Sequence, residues 1–166
     1  MKKYVFLLLI SHLCIIQIFS QQKPIIGYDR VIWGTSAQEV RNIFHINENI
    51  KIEPSGYASD ITLLKQENVS NIIKCRWFEF IDNKLFCVHV FYNDISQNTV
   101  DGLNILLEED YGKLTKFNND FSIDTYFYDK FSPDISVRLN KSKDSLVITY
   151  IGIKYRDRHR ALKLEL

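Results

Sequence analysis

Two strands joined by a tight turn at Asp82-Asn83 are the strongest constraint on how this 166-residue chain folds. Ile72–Ile81 and Leu85–Tyr92 are rich in β-branched and aromatic residues, which favour strands. Asp and Asn tolerate the left-handed backbone that a two-residue hairpin turn requires. The pattern therefore predicts an antiparallel hairpin, around which the rest of the chain must build a sheet.

A first amphipathic helix is predicted over about 36–45. Thr35 and Ser36 offer N-caps, and Gln38 or Glu39 follows three residues later, which is the spacing of a capping box. A second helix is predicted after the hairpin, where Asp94 and Gln97 give the same signal. Its apolar stripe recurs at helical spacing and consists of Val100, Leu103, Leu106, Leu107 and Tyr111. Gly112 is expected to end this helix in a left-handed conformation.

The remaining strands precede the first helix, follow the polar loop at 47–60 and follow the second helix. They are predicted at Ile25–Trp33, Ile61–Gln66, Ser122–Asp129, Ile135–Asn140 and Leu146–Tyr155. The order is β-α-β-β-β-α-β-β-β, in which the helices are segregated from runs of strands. This predicts a single α+β domain over 21–155, with one antiparallel sheet and both helices on one face. A charged tail is expected over 156–166.

The chain begins with the pattern of an export signal. Lys2 and Lys3 precede a largely apolar run over 4–19, and Ser20 offers a small residue for cleavage. The run is too short and interrupted for a membrane span, which needs about 20 apolar residues. We therefore expect a cleaved signal peptide at 1–20, no membrane span in the mature chain and a periplasmic or secreted location.

The charge balance of the mature chain argues against nucleic acid as a partner. Two of the 21 Lys and Arg residues lie in 1–20, whereas all 20 Asp and Glu residues follow it, so 21–166 carries a net charge of −1. Proteins that bind nucleic acid through the phosphate backbone carry an excess of positive charge.

The two cysteines of the hairpin, Cys75 and Cys87, are expected to stay unpaired. With a two-residue turn, Cys75 lies opposite Val90 and Cys87 lies opposite Phe78. Phe78 and Cys75 are three residues apart, so the two thiols would point to opposite faces and a disulfide would be excluded.

Both faces of the hairpin are apolar, although two helices can cover only one of them. One face is expected to be core and carries Ile73, Cys75, Trp77, Phe86, Val88, Val90 and Tyr92. The other carries Lys74, Arg76, Phe78, Phe80, Leu85, Cys87, His89 and Phe91. Exposed aromatic patches mark interaction sites, and aromatics with Arg are typical anchors. The candidate binding residues are therefore Arg76, Phe78, Phe80, His89 and Phe91. The alternative is that this face is covered by the 47–60 loop, the N-terminal segment or a second copy of the chain.

Three short motifs resemble a group of small exported bacterial α+β domains. They are Trp-Gly-Thr-Ser-x-x-Glu-Val at 33–40, Phe-Glu-Phe-Ile-Asp-Asn-Lys-Leu at 78–85 and Leu-x-x-x-Tyr-Gly-Lys at 107–113. The resemblance extends to domains of the β-lactamase-inhibitor-protein type and to the small lipoprotein of outer-membrane assembly. It implies a binding module. This chain departs from the group in having Leu114 where a proline is usual, and in lacking a lipobox for membrane anchoring.

No catalytic motif is present. The chain has no nucleophile elbow, no P-loop and no dinucleotide fingerprint, and His45, His89 and His159 have no partner at a known metal-ligand spacing. We therefore expect no catalytic residue, no metal site and no cofactor. The sequence favours an exported module that binds a protein or envelope component. The alternatives are a small secreted hydrolase with an unrecognised site and a structural envelope protein that homodimerises.

Overall fold

In a computed structural model, the chain is described over residues 27–55, 58–113, 115–119, 123–128 and 135–157. The predicted signal peptide and the last part of the charged tail, 158–166, lie outside these residues. None of the helices in the described ranges has the length and apolar character needed to cross a membrane.

The described chain contains two helices, ten strands and a final helical turn. The helices are α1 (Ala37–Ile43) and α2 (Gln97–Tyr111). The strands are β1 (Gly27–Tyr28), β2 (Val31–Ile32), β3 (Glu53–Ser55), β4 (Ala58–Glu67), β5 (Ile73–Ile81), β6 (Lys84–Tyr92), β7 (Thr115–Asn119), β8 (Ile123–Tyr128), β9 (Ile135–Lys141) and β10 (Leu146–Gly152). The helical turn covers 153–157.

The strands form two antiparallel sheets. β1 and β2 form a small hairpin of their own, and the other eight strands form one sheet in the order β3-β4-β5-β6-β10-β9-β8-β7. The α+β class is therefore confirmed, but the single sheet and the predicted element order are wrong. The first predicted strand folds back on itself at Asp29, which has a φ of 51°. β3 lies in the polar segment predicted as a loop, and β7 was not predicted.

Each half of the large sheet consists of four strands that are consecutive in the sequence, and one helix precedes each set of four. α1 precedes β3 to β6, α2 precedes β7 to β10, and the two meanders meet where β6 pairs with β10. Cα partners across this central pair include His89 with Thr149 and Cys87 with Ile151. The pairing of β6 with β10 therefore places side chains around His89 next to side chains around Thr149.

Both helices pack on the same face of the large sheet. Ala37 and Val40 of α1 and Val100 and Leu107 of α2 belong to one buried cluster. The sheet residues of this cluster alternate along each strand and include Leu64, Phe78, Phe80, Val88, Val90, Val137, Leu139, Ile148 and Tyr150. The expectation that both helices share one face is confirmed by this common core. Leu106, predicted within the apolar stripe of α2, is instead 57% exposed.

Local signals set the ends of both helices. Ser36 is the N-cap of α1, and its side chain and backbone form the reciprocal capping box with Glu39. α2 begins two residues later than predicted, because Ser96 is its N-cap and Asp94 accepts hydrogen bonds from the Ser96 backbone and hydroxyl. Gly112 ends α2 with a φ of 86°.

A β-bulge at Phe86 changes the pairing of β5 with β6. The turn forms as predicted, since Asp82 and Asn83 both have positive φ and Ile81 pairs with Lys84. Phe80 then pairs with Leu85, but Glu79 pairs with Cys87, so Phe86 is an extra residue in β6. The pairs from Glu79 with Cys87 to Cys75 with Phe91 are shifted by one residue, so these residues of β6 lie on the opposite face, relative to β5, from that given by the simple hairpin. A second irregularity at Lys74 returns Ile73 and Tyr92 to the original register.

Leu85, which directly precedes the bulged residue, also makes backbone hydrogen bonds to the segment between β2 and α1. Its carbonyl accepts a hydrogen bond from the Gly34 N–H at 2.8 Å, and its N–H donates to the Thr35 carbonyl at 2.9 Å. The side-chain oxygen of Asn83 also accepts a hydrogen bond from the Ala37 N–H at 3.1 Å. The segment between β2 and α1 is thus attached to the hairpin tip.

Candidate functional site

The bulge separates the five predicted binding residues onto opposite faces of the sheet. Phe78 and Phe80 are fully buried against the helices, so the prediction that they form an exposed surface is wrong. Arg76 lies on the same helix-covered face, where its guanidinium carbon is 5.2 Å from the centre of the Phe44 ring and 5.8 Å from that of Tyr28. His89 and Phe91 lie on the other face.

The open face of the sheet, which neither α1 nor α2 covers, contains a cleft of about 590 Å³. Most of its lining residues come from β5, β6, β9 and β10 near the sheet centre, and those on β6 and β10 occupy positions that alternate with the core residues. On β6, for example, Cys87, His89 and Phe91 line the cleft, whereas Val88 and Val90 are core. The cleft is therefore a direct product of strand alternation in the shifted register.

Aromatic rings form one wall of the cleft. The rings of Trp77 and Phe91 lie 4.6 Å apart between their centres, and both line the cleft together with Phe86. On the neighbouring strand, Lys65 Nζ lies 5.2 Å from the centre of the Trp77 ring, within cation–π distance. This wall offers flat apolar surface to a ligand.

Two arginines line another part of the cleft. Arg138 comes from β9 and Arg156 from the helical turn at 153–157. Arg156 donates a hydrogen bond to Asp157 at 3.0 Å. Arg156, the first residue of the predicted charged tail, therefore lies in the helical turn and lines the cleft. The two guanidinium groups place N–H donors at this part of the cleft, where Arg156 is also ion-paired with Asp157.

A cluster of three potential ligand side chains lies on the floor of the cleft. His89 Nε2 is 3.3 Å from a Glu79 carboxylate oxygen and 3.5 Å from Cys87 Sγ. The three ligand atoms all lie within 4.8 Å of one another. His89 Nδ1 is 3.0 Å from the Thr149 hydroxyl oxygen on β10. This contact fixes the orientation of the imidazole ring relative to Glu79 and Cys87.

Burial dominates the chemistry of the Cys87 thiol. Cys87 is only 3% exposed, and this desolvation raises the pKa of its thiol well above the ordinary value. The negative charge of Glu79 raises the pKa further, whereas Arg138 and Arg156 lower it. Cys87 is therefore a protonated thiol near neutral pH when no metal ion is bound to it.

Neither cysteine of the hairpin forms a disulfide, as predicted, but the reason given for this was wrong. Cys75 pairs with Phe91 and Cys87 pairs with Glu79. Because Cys75 and Glu79 are four residues apart on β5, both thiols are on the open face, separated along the strand by about 13 Å. Distance along the strand prevents the bridge.

Sequence reasoning missed Glu79 and Cys87 as site residues. The spacing Cys87-x-His89 on a strand was an available signal, because residues two apart share a face. Glu79 was assigned to neither binding nor catalysis, since the simple hairpin register places it opposite Phe86. Only the bulge brings its carboxylate to Cys87 and His89.

Comparison of the chain with protein-family models, with curated proteins and with solved structures found no match. The resemblance to small exported α+β domains therefore stays a prediction from the three motifs at 33–40, 78–85 and 107–113.

Proposed function

We propose that this chain is an exported binding module that holds a small organic anion with a flat apolar part in the cleft of its open sheet face. The observation that carries the proposal is the cleft itself, an aromatic wall and two arginines around about 590 Å³. Pockets for small ligands have volumes of about 300–1,000 Å³ and combine apolar lining with a few placed polar groups. The export part of the proposal rests on the sequence of residues 1–20.

The two parts of the ligand follow from the two walls. Trp77 and Phe91 offer ring surface on which a flat apolar group stacks. Arg138 and Arg156 are suited to a carboxylate, sulfonate or phosphate, for which a guanidinium supplies several N–H donors in a fixed plane. A protein partner that inserts one side chain is a less specific fit, because one side chain fills only part of a cleft of about 590 Å³.

A matched pair of fluorescent probes tests this proposal. The first, 1-anilinonaphthalene-8-sulfonate, has both a flat apolar group and an anion, whereas N-phenyl-1-naphthylamine has the same rings without the charge. We expect the anionic probe to bind one site per chain and to bind about tenfold more tightly than the neutral probe. Equal affinity of the two probes would contradict the role of the arginines.

Two substitutions locate the probe on the chain. Trp77→Ala removes part of the aromatic wall and is expected to weaken binding of the anionic probe about tenfold. Leu106→Ser is the matched control, because Leu106 is an exposed apolar residue on α2, on the other side of the sheet. If Leu106→Ser weakens binding and Trp77→Ala does not, the probe binds the helix surface and the proposal fails.

A small hydrolase is the second candidate, favoured by the convergence of Glu79, Cys87 and His89 on the cleft. A cysteine nucleophile acts as its thiolate, and burial raises the pKa of the Cys87 thiol. The arrangement is therefore less suited to a cysteine hydrolase than to binding. Hydrolysis of p-nitrophenyl acetate by the wild-type chain, lost in His89→Gln, would favour the enzyme over the binding module.

A further inference from the structure

Three atoms that carry lone pairs converge in the cleft, and we propose that Glu79, Cys87 and His89 bind one Zn²⁺ ion with a fourth coordination position open to the cleft. A carboxylate, a thiolate and an imidazole are all established zinc ligands. The inference does not depend on the proposed function, since it rests on the floor of the cleft and not on its aromatic wall or its arginines.

The distances agree with a tetrahedral ion. Zinc–sulfur bonds are about 2.3 Å long, and zinc–nitrogen and zinc–oxygen bonds are about 2.0–2.1 Å long. At a tetrahedral angle, these lengths place sulfur about 3.6 Å from nitrogen and nitrogen about 3.3 Å from oxygen. The observed separations from His89 Nε2 are 3.5 Å to Cys87 Sγ and 3.3 Å to the Glu79 oxygen. The third separation, between Cys87 and Glu79, is within 4.8 Å. It needs to shorten by at most about 1.2 Å, which a rotation of the Glu79 carboxylate supplies.

The imidazole is oriented for the ion. When His89 Nδ1–H donates its hydrogen bond to Thr149 Oγ1, the lone pair of the ring lies on Nε2, which is the atom that faces Cys87 and Glu79. Zinc-bound histidines commonly donate their second ring N–H to such a partner, which fixes the tautomer and the ring plane. Thr149 is therefore a positioning residue for the site.

The number of ligands indicates an open site. Structural zinc sites have four protein ligands, whereas sites that bind or activate a further molecule have three. In the described part of the chain, these three residues form the single group of at least three Cys, His, Asp or Glu side chains placed to hold a metal ion. All three line the cleft, so the fourth position faces the space where a ligand would enter.

Zinc retention tests the proposal directly. The chain, purified without a histidine tag and kept reduced with a phosphine, is freed of metal, mixed with one equivalent of ZnCl₂ and desalted. Elemental mass spectrometry of the desalted protein is expected to find one zinc ion per wild-type chain. His89→Gln and Glu79→Gln are expected to reduce zinc affinity at least tenfold, with unchanged circular dichroism. Full retention by both variants would overturn the proposal.

Cobalt substitution reports a thiolate ligand in the wild-type chain first, and two variants then identify the cysteine. Co²⁺ bound to a thiolate gives a charge-transfer band in the near ultraviolet, so the wild-type chain is expected to show this band after addition of CoCl₂. Cys87→Ser should abolish it, whereas Cys75→Ser, which changes the other buried thiol on the same face, should leave it unchanged. Absence of the band from the wild type, or its loss only in Cys75→Ser, would refute the assignment.

A further variant tests whether Thr149 positions the His89 imidazole without itself binding the ion. Thr149→Val removes the hydroxyl that contacts His89 Nδ1 and keeps a side chain of similar volume. Zinc affinity is expected to fall about 10- to 100-fold, as is typical when such a partner is lost. The cobalt band should keep its position, because the three ligands are retained. An affinity equal to that of the wild type would show that Thr149 does not position the imidazole.

Discussion

Glu79 lies directly opposite Cys87 in the pairing of β5 with β6, although a hairpin with the same turn and no bulge places it opposite Phe86. The extra residue puts Cys87 and Glu79 on the open face and Phe78 and Val88 in the core. A single bulged residue therefore determines both what the core contains and which side chains line the cleft.

The opposite placement of Phe78 and Phe91 predicts unequal losses of stability. Phe78 is fully buried and its ring centre lies 5.1 Å from that of Phe44, whereas Phe91 is half-buried in the cleft wall. Phe78→Ala is expected to reduce the free energy of unfolding by about 3–5 kcal/mol, and Phe91→Ala by clearly less, because it creates no closed cavity. Urea unfolding followed by circular dichroism measures both. Equal losses would mean that the two rings are equally buried.

Gly152 and Gly102 form a second matched pair. A Cβ at Gly152 would lie 2.7 Å from Trp33 Cγ, whereas a Cβ at Gly102 in α2 would meet nothing within 4 Å. Gly152→Ala is expected to destabilise the chain by about 1–3 kcal/mol, because the indole must move. Gly102→Ala should stabilise it by about 0.5–1 kcal/mol through helix propensity. Thermal unfolding of both variants checks the signs, and a neutral Gly152→Ala would contradict the close contact.

The capping box of α1 predicts a stability change at acidic pH. Hydrogen bonds from the Ser36 hydroxyl and backbone N–H lower the pKa of Glu39 below its ordinary value. The folded chain therefore binds its proton less readily than the unfolded chain. The contribution of Glu39 is fully present above the ordinary glutamate pKa and is lost as the pH falls through the lowered one.

The measurement compares the wild type with Glu39→Gln over this range. The difference in free energy of unfolding between the wild type and Glu39→Gln is expected to shrink as the pH falls. Glu109→Gln, a substitution at an exposed residue of α2, is the control, and its free energy of unfolding should follow that of the wild type more closely. Ser36→Ala, which removes the N-cap itself, is expected to cost about 1 kcal/mol at neutral pH. A difference between Glu39→Gln and the wild type that does not change with pH would contradict the lowered pKa.

Buried tyrosines predict a loss of stability at high pH. Desolvation is the largest cause that raises the pKa of Tyr28 and of Tyr111 to about 12, and it also raises the pKa of Tyr150 well above its ordinary value. The unfolded chain loses these protons at lower pH than the folded chain. Their contribution to stability is therefore complete below the ordinary tyrosine pKa and is lost as the pH rises toward about 12.

Phenolate absorbance measures this titration. The wild type should show a late step that coincides with unfolding, and Tyr28→Phe should reduce its amplitude without removing it. If the tyrosines of the folded chain titrate together near their ordinary pKa, then Tyr28 and Tyr111 are more exposed to solvent than their packing in the core cluster indicates.

Short-range signals in the sequence were sufficient to predict much of the local structure of the chain. The Asp82-Asn83 turn, the Ser36–Glu39 capping box and the stop at Gly112 were all predictable, because each depends on a few neighbouring residues. The α+β class followed from the order of these elements. The common face of the two helices followed from their apolar spacing together with that class.

Which face of the hairpin is core depends instead on contacts between residues distant in sequence. The bulge at Phe86 has no local signature, and Leu85 is bound there by Gly34 and Thr35, which lie about 50 residues earlier in the chain. Thr149 reaches His89 only because β6 and β10 are neighbours at the centre of the sheet. Contacts between residues distant in sequence therefore built the cleft and its Glu79–Cys87–His89 cluster. A strand pattern of period two gives the same alternation in either register, so it could not choose between them.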